Sequence, residues 1–274
     1  MADIKAVDVA KLRKATGAGM MDCKKALQEA NGDFEKGIDI IRKRGQSVAN
    51  KRADRDAGEG TVQAKVEGKF GAIISLNCET DFVAKNENFI AFAKSILDLA
   101  IAEKPADLDA LKGLNLDGKT VSERVLEQTG VIGEKLELSY YEFIQAESVI
   151  AYNHIGNNLA TLVGFNKAGV DNQVAKDIAM QVAAMAPVAV DKDAIPQDVI
   201  EKEIEIAKEK FRQEGKPEAM LDKIAQGSLN KWFKEVTLLN QTYVKDGKIS
   251  IKDFLKQNDS ELTVTAFDRF TLNV

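Results

Sequence analysis

Over residues 1 to about 45, apolar side chains recur at helical spacing in three short blocks. Val7, Val9 and Leu12 mark a first helix from Val7 to Lys14, ended by the turn Thr16-Gly17-Ala18-Gly19. Cys23, Ala26, Leu27 and Ala30 mark a second, capped by Asp22 and stopped at Asn31-Gly32, where a left-handed glycine closes a helix. Phe34, Gly37, Ile38 and Ile41 repeat at three and four behind Asp33, a natural cap for a third. So small a bundle buries limited apolar area and reads as an appended binding module. Arg42, Lys43, Arg44, Lys51, Arg52 and Arg55 then crowd a polar stretch up to Gly58-Glu59-Gly60, which reads as a charged helix end and solvated linker.

From Thr61 the period shortens to two. Thr61 to Val66 alternates, Gly68-Lys69 supplies a turn, and Phe70 to Leu76 is a continuous apolar run, together a β-hairpin. Phe89, Phe92, Ala93, Ile96 and Ala100 line one face of a helix reaching Ala102, and Val121 to Gln128 predicts another. A second β patch comprises Glu137 to Ala146, Ser148 to Tyr152 and Leu159 to Phe165, the last two joined through Asn153-His154-Ile155-Gly156. A helix over Asn172 to Ala186 follows, so the order hairpin-then-helix occurs twice and suggests a duplicated α+β unit. Between Pro196 and Gly227 two helices dense in Glu and Lys flank Gly215-Lys216-Pro217, the pattern of an inserted antiparallel helical hairpin. A short helix near Ile251 to Leu255 and a final strand from Leu262 to Thr271 return the chain to the core. The predicted fold class is α+β, divided into residues 1–55, a core half over 56–140, a second half over 141–190 and 228–274, and the hairpin over 191–227.

The junction Asn77-Cys78-Glu79-Thr80-Asp81-Phe82-Val83-Ala84-Lys85 admits two readings. Phe82, Phe89 and Ile96 are seven apart, so one continuous helix would carry all three on a buried stripe, and large aromatics are usually inside. Against that, Lys85-Asn86-Glu87-Asn88 interrupts the pattern, and Asn86 is a good N-cap for a helix whose first apolar residue is Phe89. Periodicity favours a core position for Phe82; the interruption leaves room for a wedge protruding beside Asp81.

Composition narrows the function. With 45% hydrophobic and 30% charged residues the chain is an ordinary globular one, and a net charge of −5 argues against nucleic acid as a direct partner. No apolar run approaches the ~18 residues of a membrane span. Met1-Ala2-Asp3-Ile4-Lys5 lacks the features of a signal peptide, and Cys23 and Cys78 stand apart, so a cytoplasmic location is expected. Gly113-Leu114-Asn115-Leu116-Asp117-Gly118-Lys119-Thr120 matches the phosphate-loop pattern by letter, but a polar, helix-like segment precedes it where a strand is needed. Asp117 would also set a negative charge beside the phosphates, so the match reads as coincidence. His154 is the only histidine and pairs with no nucleophile by any local signature. No catalytic residue, metal site or cofactor is expected, and the chain reads as a non-enzyme.

Two segments resemble a known family. Thr16 to Leu27 with Glu29-Ala30-Asn31-Gly32-Asp33 is similar to the N-terminal signature of bacterial elongation factor Ts, and Asn77 to Lys85 resembles that family's second signature. The likeness continues through Val182-Ala183-Ala184, Gly215-Lys216-Pro217 and Phe267-Asp268-Arg269-Phe270. It implies a ubiquitin-associated-like N-terminal module, two related core halves, a projecting hairpin, and guanine-nucleotide exchange on elongation factor Tu, in its GDP-bound and nucleotide-free forms.

By the same resemblance, Thr80, Asp81, Phe82 and Val83 carry the exchange motif: Phe82 wedges between helices of the partner's nucleotide-binding domain and Asp81 helps disturb its magnesium site. Leu12, Met20 and Met21 would grip that domain, and His154 with Ile155 and Gly156 would approach another. Asn157, Asn158 and Ala160 stand where the family usually has glycine, arginine and glycine, which puts the detail of the second contact in question. The chain ends at Val274, so the C-terminal helix of some members is expected to be absent. The charged hairpin fits either a solvated projection or a pairing surface for a homodimer or two-to-two complex. The competing reading of the whole chain is an adaptor that binds a partner without promoting exchange.

Overall fold

The protein is described by a computed structural model over residues 4–272. Residues 1–3 and 273–274, the outer ends of the first and last predicted domains, lie outside the described residues.

Three helices open the chain: α1 (Ala6–Thr16), α2 (Met20–Glu29) and α3 (Phe34–Arg52). Val9, Leu12, Cys23, Ala26 and Leu27 bury one small core with Phe34, Ile38 and Ile41 packed on it. α1 ends at Gly17 with φ 72°, and only Gly17, Ala18 and Gly19 separate it from α2. So short a link makes Gly19 the N-cap of α2, and Asp22 lies in the first turn rather than at the predicted cap. Asp33 caps α3 as expected, accepting from the Lys36 N–H.

The charged stretch read as a helix end and linker is helix as far as Arg52, the end of α3, and only residues 53–58 form the connection to β1 (Glu59–Glu67). It stays helical because it docks on α7 (Val121–Ile132), where Gly45 and Gly130 bring the two backbones together. Its arginines are paired on arrival: Arg42 with Glu127, Arg44 with Glu29 and Arg52 with Glu79.

Strands β1 (Glu59–Glu67) and β2 (Phe70–Cys78) form the predicted hairpin, with Glu67 opposite Phe70. A four-residue helix α4 (Asp81–Ala84) leads into α5 (Glu87–Glu103), and α6 (Leu108–Gly113) follows. The phosphate-loop lookalike is a tiny hairpin of β3 (Asn115–Leu116) and β4 (Lys119–Thr120). Asp117 and Gly118 both take positive φ at its turn, the geometry that suits an Asp-Gly tip, and Lys119 is spent on Glu127. No phosphate cradle forms there.

β5 (Glu137–Gln145) pairs antiparallel with β2, giving a sheet ordered β1-β2-β5. The sequence pattern groups this strand with the second patch and places a boundary at 140, which falls inside it. Pairing partner depends on contacts far along the chain, and alternation alone carries no address. The second sheet is ordered β6-β7-β8, from β6 (Ser148–Asn153), β7 (Leu159–Phe165) and β8 (Val264–Thr271).

The two sheets pack face to face through Val62, Ala64, Ile73, Ile144, Val149, Ala160 and Leu162. On the outer face of the first, Phe70, Ala72, Ile74 and Leu76 of β2 meet Phe89, Ala93, Ile96 and Ala100 of α5. On the outer face of the second, Val163 and Phe165 meet Val174, Ile178 and Val182 of α8 (Asn172–Met185). Central strands covered on both faces explain the continuous apolar runs at Phe70–Leu76 and Leu159–Phe165.

The helical hairpin is α9 (Gln197–Gln213) and α10 (Glu218–Val236), laced by Lys208–Asp222 and Arg212–Glu218 ion pairs. α10 does not stop at Gly227 but continues to Val236, because Leu229 and Phe233 bury against Ile195. One interior glycine costs a helix only about 1 kcal/mol, which that burial offsets. α11 (Ile251–Asn258) packs on the second half of the core. Among the described residues no helix is long and apolar enough to cross a membrane.

Candidate partner-binding site

Thr80 sits between β2 and α4 with extended backbone, and its side-chain oxygen accepts from the Val83 N–H, which caps the short helix. Asn86 then caps α5, accepting from the Asn88 and Phe89 N–H groups. Two caps six residues apart mean two helices, so the stripe of Phe89 and Ile96 does not extend back to Phe82. Within α4, Val83 and Ala84 pack partly against the core beneath, and Phe82 points to solvent, 83% exposed. The burial that periodicity favours for Phe82 is overturned by the Asn86 cap. Phe82 is thus an exposed aromatic ring held on a capped turn.

Asp81 pairs with Lys85 at 2.6 Å on the same exposed turn. A side-chain hydrogen bond from Lys85 holds its carboxyl below the usual value. Exposed pairs of this kind contribute little to stability. Cys78 lies just behind this turn, and burial pushes its thiol up to about 12, so it stays protonated. It is no nucleophile.

Met20 and Met21 stand exposed at the start of α2, at 52% and 63%. Leu12, grouped with them as a partner contact, is instead fully buried among Leu27, Gly37 and the rest of the module core. It shapes the module from inside and cannot touch a partner in this state. Val7, placed on the apolar stripe of α1 by pattern, is exposed.

His154, Ile155 and Gly156 occupy the tip between β6 and β7, with Ile155 91% exposed and His154 Nδ1 2.9 Å from the Tyr152 hydroxyl. The tip is anchored to the first sheet: Asn153 exchanges hydrogen bonds with the Ala64 backbone, and the Asn157 carbonyl accepts from the Val62 N–H. Asn157 takes φ 57°, a left-handed conformation that asparagine tolerates better than most residues. The Asn158 carbonyl accepts from the Leu272 N–H, and Ala160 is buried between the sheets. These departures therefore fall in the anchoring of the tip rather than at its exposed point.

The exposed apolar residues that the resemblance assigns to a partner stand on three separate elements: Met20 and Met21 at the α2 start, Phe82 on the α4 turn and Ile155 at the β6–β7 tip. Sequence reasoning missed the groups that support the central one, Arg52, Glu79, Glu134 and Lys135, because their partners are remote in sequence. Among the described residues no cluster of His, Cys, Asp or Glu could hold a metal ion.

The sequence profile of the family described as Elongation factor TS matches residues 79–274, beginning at the connection that carries Phe82. Proteins named Elongation factor Ts are similar over almost the whole chain. That of Porphyromonas gingivalis is 53% identical over 267 residues, covering 97% of either chain. That of Christiangramia forsetii is 52% identical over 276 residues, covering 99% of this chain and 100% of its own. That of Amoebophilus asiaticus is 53% identical over 270 residues, covering 97% of this chain and 98% of its own. The chain belongs to the elongation factor Ts family of translation elongation factors, which serve protein biosynthesis.

Proposed function

We propose that the protein is a guanine-nucleotide exchange factor for elongation factor Tu, acting in the cytoplasm by binding rather than by bond chemistry. The observation that carries this reading is Phe82, 83% exposed on the capped α4 turn. Phe82 enters the partner's nucleotide-binding domain, Asp81 disturbs the elements that hold its magnesium ion, and GDP leaves so that GTP can bind. Thr80 holds the turn and Val83 seats it on the core. Met20 and Met21 supply adaptable thioether contacts to the same domain, and His154, Ile155 and Gly156 meet a second one. Arg42, Arg44 and Arg52 are each ion-paired within the chain, which favours a protein partner over nucleic acid.

Several contacts are needed on energetic grounds. A thousandfold faster release requires ~4 kcal/mol of preference for the nucleotide-free partner. Burying one phenylalanine supplies about 1.5–3 kcal/mol, so Phe82 works only with the other two contacts. The coupling is reciprocal: nucleotide weakens binding of this protein by the factor by which the protein weakens nucleotide.

The test is release of a fluorescent GDP from elongation factor Tu with wild type and Phe82→Ala. Strong acceleration by wild type and little by the variant is expected. No acceleration by wild type would sink the exchange reading in favour of an adaptor. Equal acceleration by both would move the lever off Phe82.

A further inference from the structure

Beneath the Phe82 turn, two connections 55 residues apart in sequence exchange side-chain-to-backbone hydrogen bonds. Glu134, between α7 and β5, accepts from the Thr80 N–H at 3.0 Å, the Glu79 N–H at 3.2 Å and the Thr80 hydroxyl at 2.7 Å. In return Glu79 accepts from the Lys135 N–H at 2.5 Å. Arg52, the last residue of α3, donates through Nη1 to both oxygens of Glu79 at 2.8 and 2.7 Å. The Lys135 ammonium donates to the carbonyls of Ala53 and Arg55, each at 3.0 Å, just past the end of α3. The exit of the N-terminal module, the base of the Phe82 turn and the α7–β5 connection are therefore stitched at one point.

This stitching has a mechanical consequence. A helix of four residues is far below the length that sustains itself, and Phe82 gains no packing that would hold it. A turn free to pivot would yield when its ring met a partner. Charge-assisted hydrogen bonds to both backbone amides at its base, and to the Thr80 hydroxyl that caps it, remove that freedom. The Arg52–Glu79 pair, with the Glu79 side chain only 13% exposed, ties the same base to α3. The Arg52 and Lys135 donors also hold the Glu79 carboxyl below its usual value, first through the Lys135 N–H.

We infer that Glu134 and Glu79 are positioning residues for nucleotide exchange, fixing the Phe82 turn against α3 so that binding through the N-terminal module is delivered to Phe82 as displacement of the partner. The inference rests on the exchange reading above. Neither carboxylate touches the partner; both act through the turn. Loosening them spares affinity, which resides in the exposed contacts, and lowers the rate of release once the complex has formed.

The experiment measures GDP release from elongation factor Tu against increasing concentration of full-length wild type, Glu134→Ala and Glu134→Gln, with amide hydrogen exchange on the same free proteins. Glu134→Ala should lower the saturating release rate roughly tenfold, the order expected for losing charge-assisted hydrogen bonds, with the half-saturating concentration changed less than about twofold. Glu134→Gln retains an acceptor oxygen and should fall between; it also carries the decision if the alanine variant does not fold. In the free protein the Ala84 and Lys85 amides, which close α4 on Thr80 and Asp81, should exchange about tenfold faster in Glu134→Ala, with α5 unchanged. A wild-type saturating rate, a loss confined to the half-saturating concentration, or unchanged exchange at Ala84 and Lys85 overturns the inference. Failure of the wild type to accelerate release removes the exchange reading itself, and this inference with it.

Discussion

Replacing Gly130 by alanine tests whether a backbone-to-backbone contact holds the N-terminal module to the core. A Cβ on Gly130 would lie 2.3 Å from the Gly45 Cα and 3.2 Å from its carbonyl carbon. Carbon atoms rest at about 3.5–4.0 Å, so α3 and α7 must part by roughly 1.2–1.7 Å. The obstacle is the backbone of α3, which cannot turn aside as a long side chain can. Overpacking of this kind costs about 1–3 kcal/mol, and alanine recovers up to ~1 kcal/mol through helix propensity. A net loss in the middle of the resulting range, ~1–2 kcal/mol, would make undocking of α3 roughly 5–30 times more frequent.

Gly45→Ala is the internal control, since its Cβ would meet only the Gly130 Cα, at 3.4 Å. The propensity gain should dominate there and leave the variant neutral or up to ~1 kcal/mol more stable. Hydrogen exchange of the α3 amides reads the docking, and limited proteolysis across residues 53–58 reads exposure of the connection. Gly130→Ala should lose α3 protection while the two sheets keep theirs. If α3 protection matches wild type, or if the two variants behave alike, the close contact is not what docks the module.

Three further outcomes are expected. Leu12→Ala removes a fully buried side chain from a small core and should cost ~2–5 kcal/mol, unfolding the module by circular dichroism, whereas Met20→Ala and Met21→Ala should leave its melting unchanged and weaken partner binding. A folded Leu12→Ala with lost binding would restore Leu12 as a contact. Asp268 accepts from the Tyr140 hydroxyl at 2.8 Å, its second oxygen is buried without a partner, and desolvation raises its pKa above 3.8. The folded state then binds the proton more tightly than the unfolded chain, so stability falls as pH rises from ~3.8 through the raised value. Asp268→Asn should abolish that slope, gaining over wild type in urea unfolding at pH 7 and not at pH 3; an unchanged difference at both would refute it. Cys78, buried and with its pKa pushed up to about 12, should resist alkylation at pH 8 until the protein unfolds; rapid labelling of folded protein would contradict the placement.

Elements defined by neighbouring residues were legible in the sequence. The hairpin of β1 and β2 follows from alternation closed by Gly68-Lys69, the buried face of α5 from its three-and-four repeat, and the Asn86 cap from residue type alone. The phosphate-loop match is rejected on its context alone, whereas the hairpin turn at Asp117-Gly118 that replaces it is seen only in the structure. How far α3 runs before the connection is not legible, because local charge carries no sign of Glu79, Glu127 or α7 elsewhere in the chain. The burial of Leu12 is likewise not legible in its own helix, because it depends on the other two helices of the module closing over it.

The sequence by itself determined the family, the order of the longer helices and strands, and the presence of a Thr-Asp-Phe-Val connection between a buried strand and a capped helix. Those properties rest on caps, turns and periodicities whose energies act within a few residues. Only the tertiary structure decided that Phe82 stands in solvent while Leu12 does not, that β5 joins the first sheet, and that the Phe82 turn is stitched to α3 through Glu79 and Glu134. Exposure, strand partners and cross-chain carboxylate bonds are sums over groups distant in sequence, and no local pattern contains them until the chain has folded.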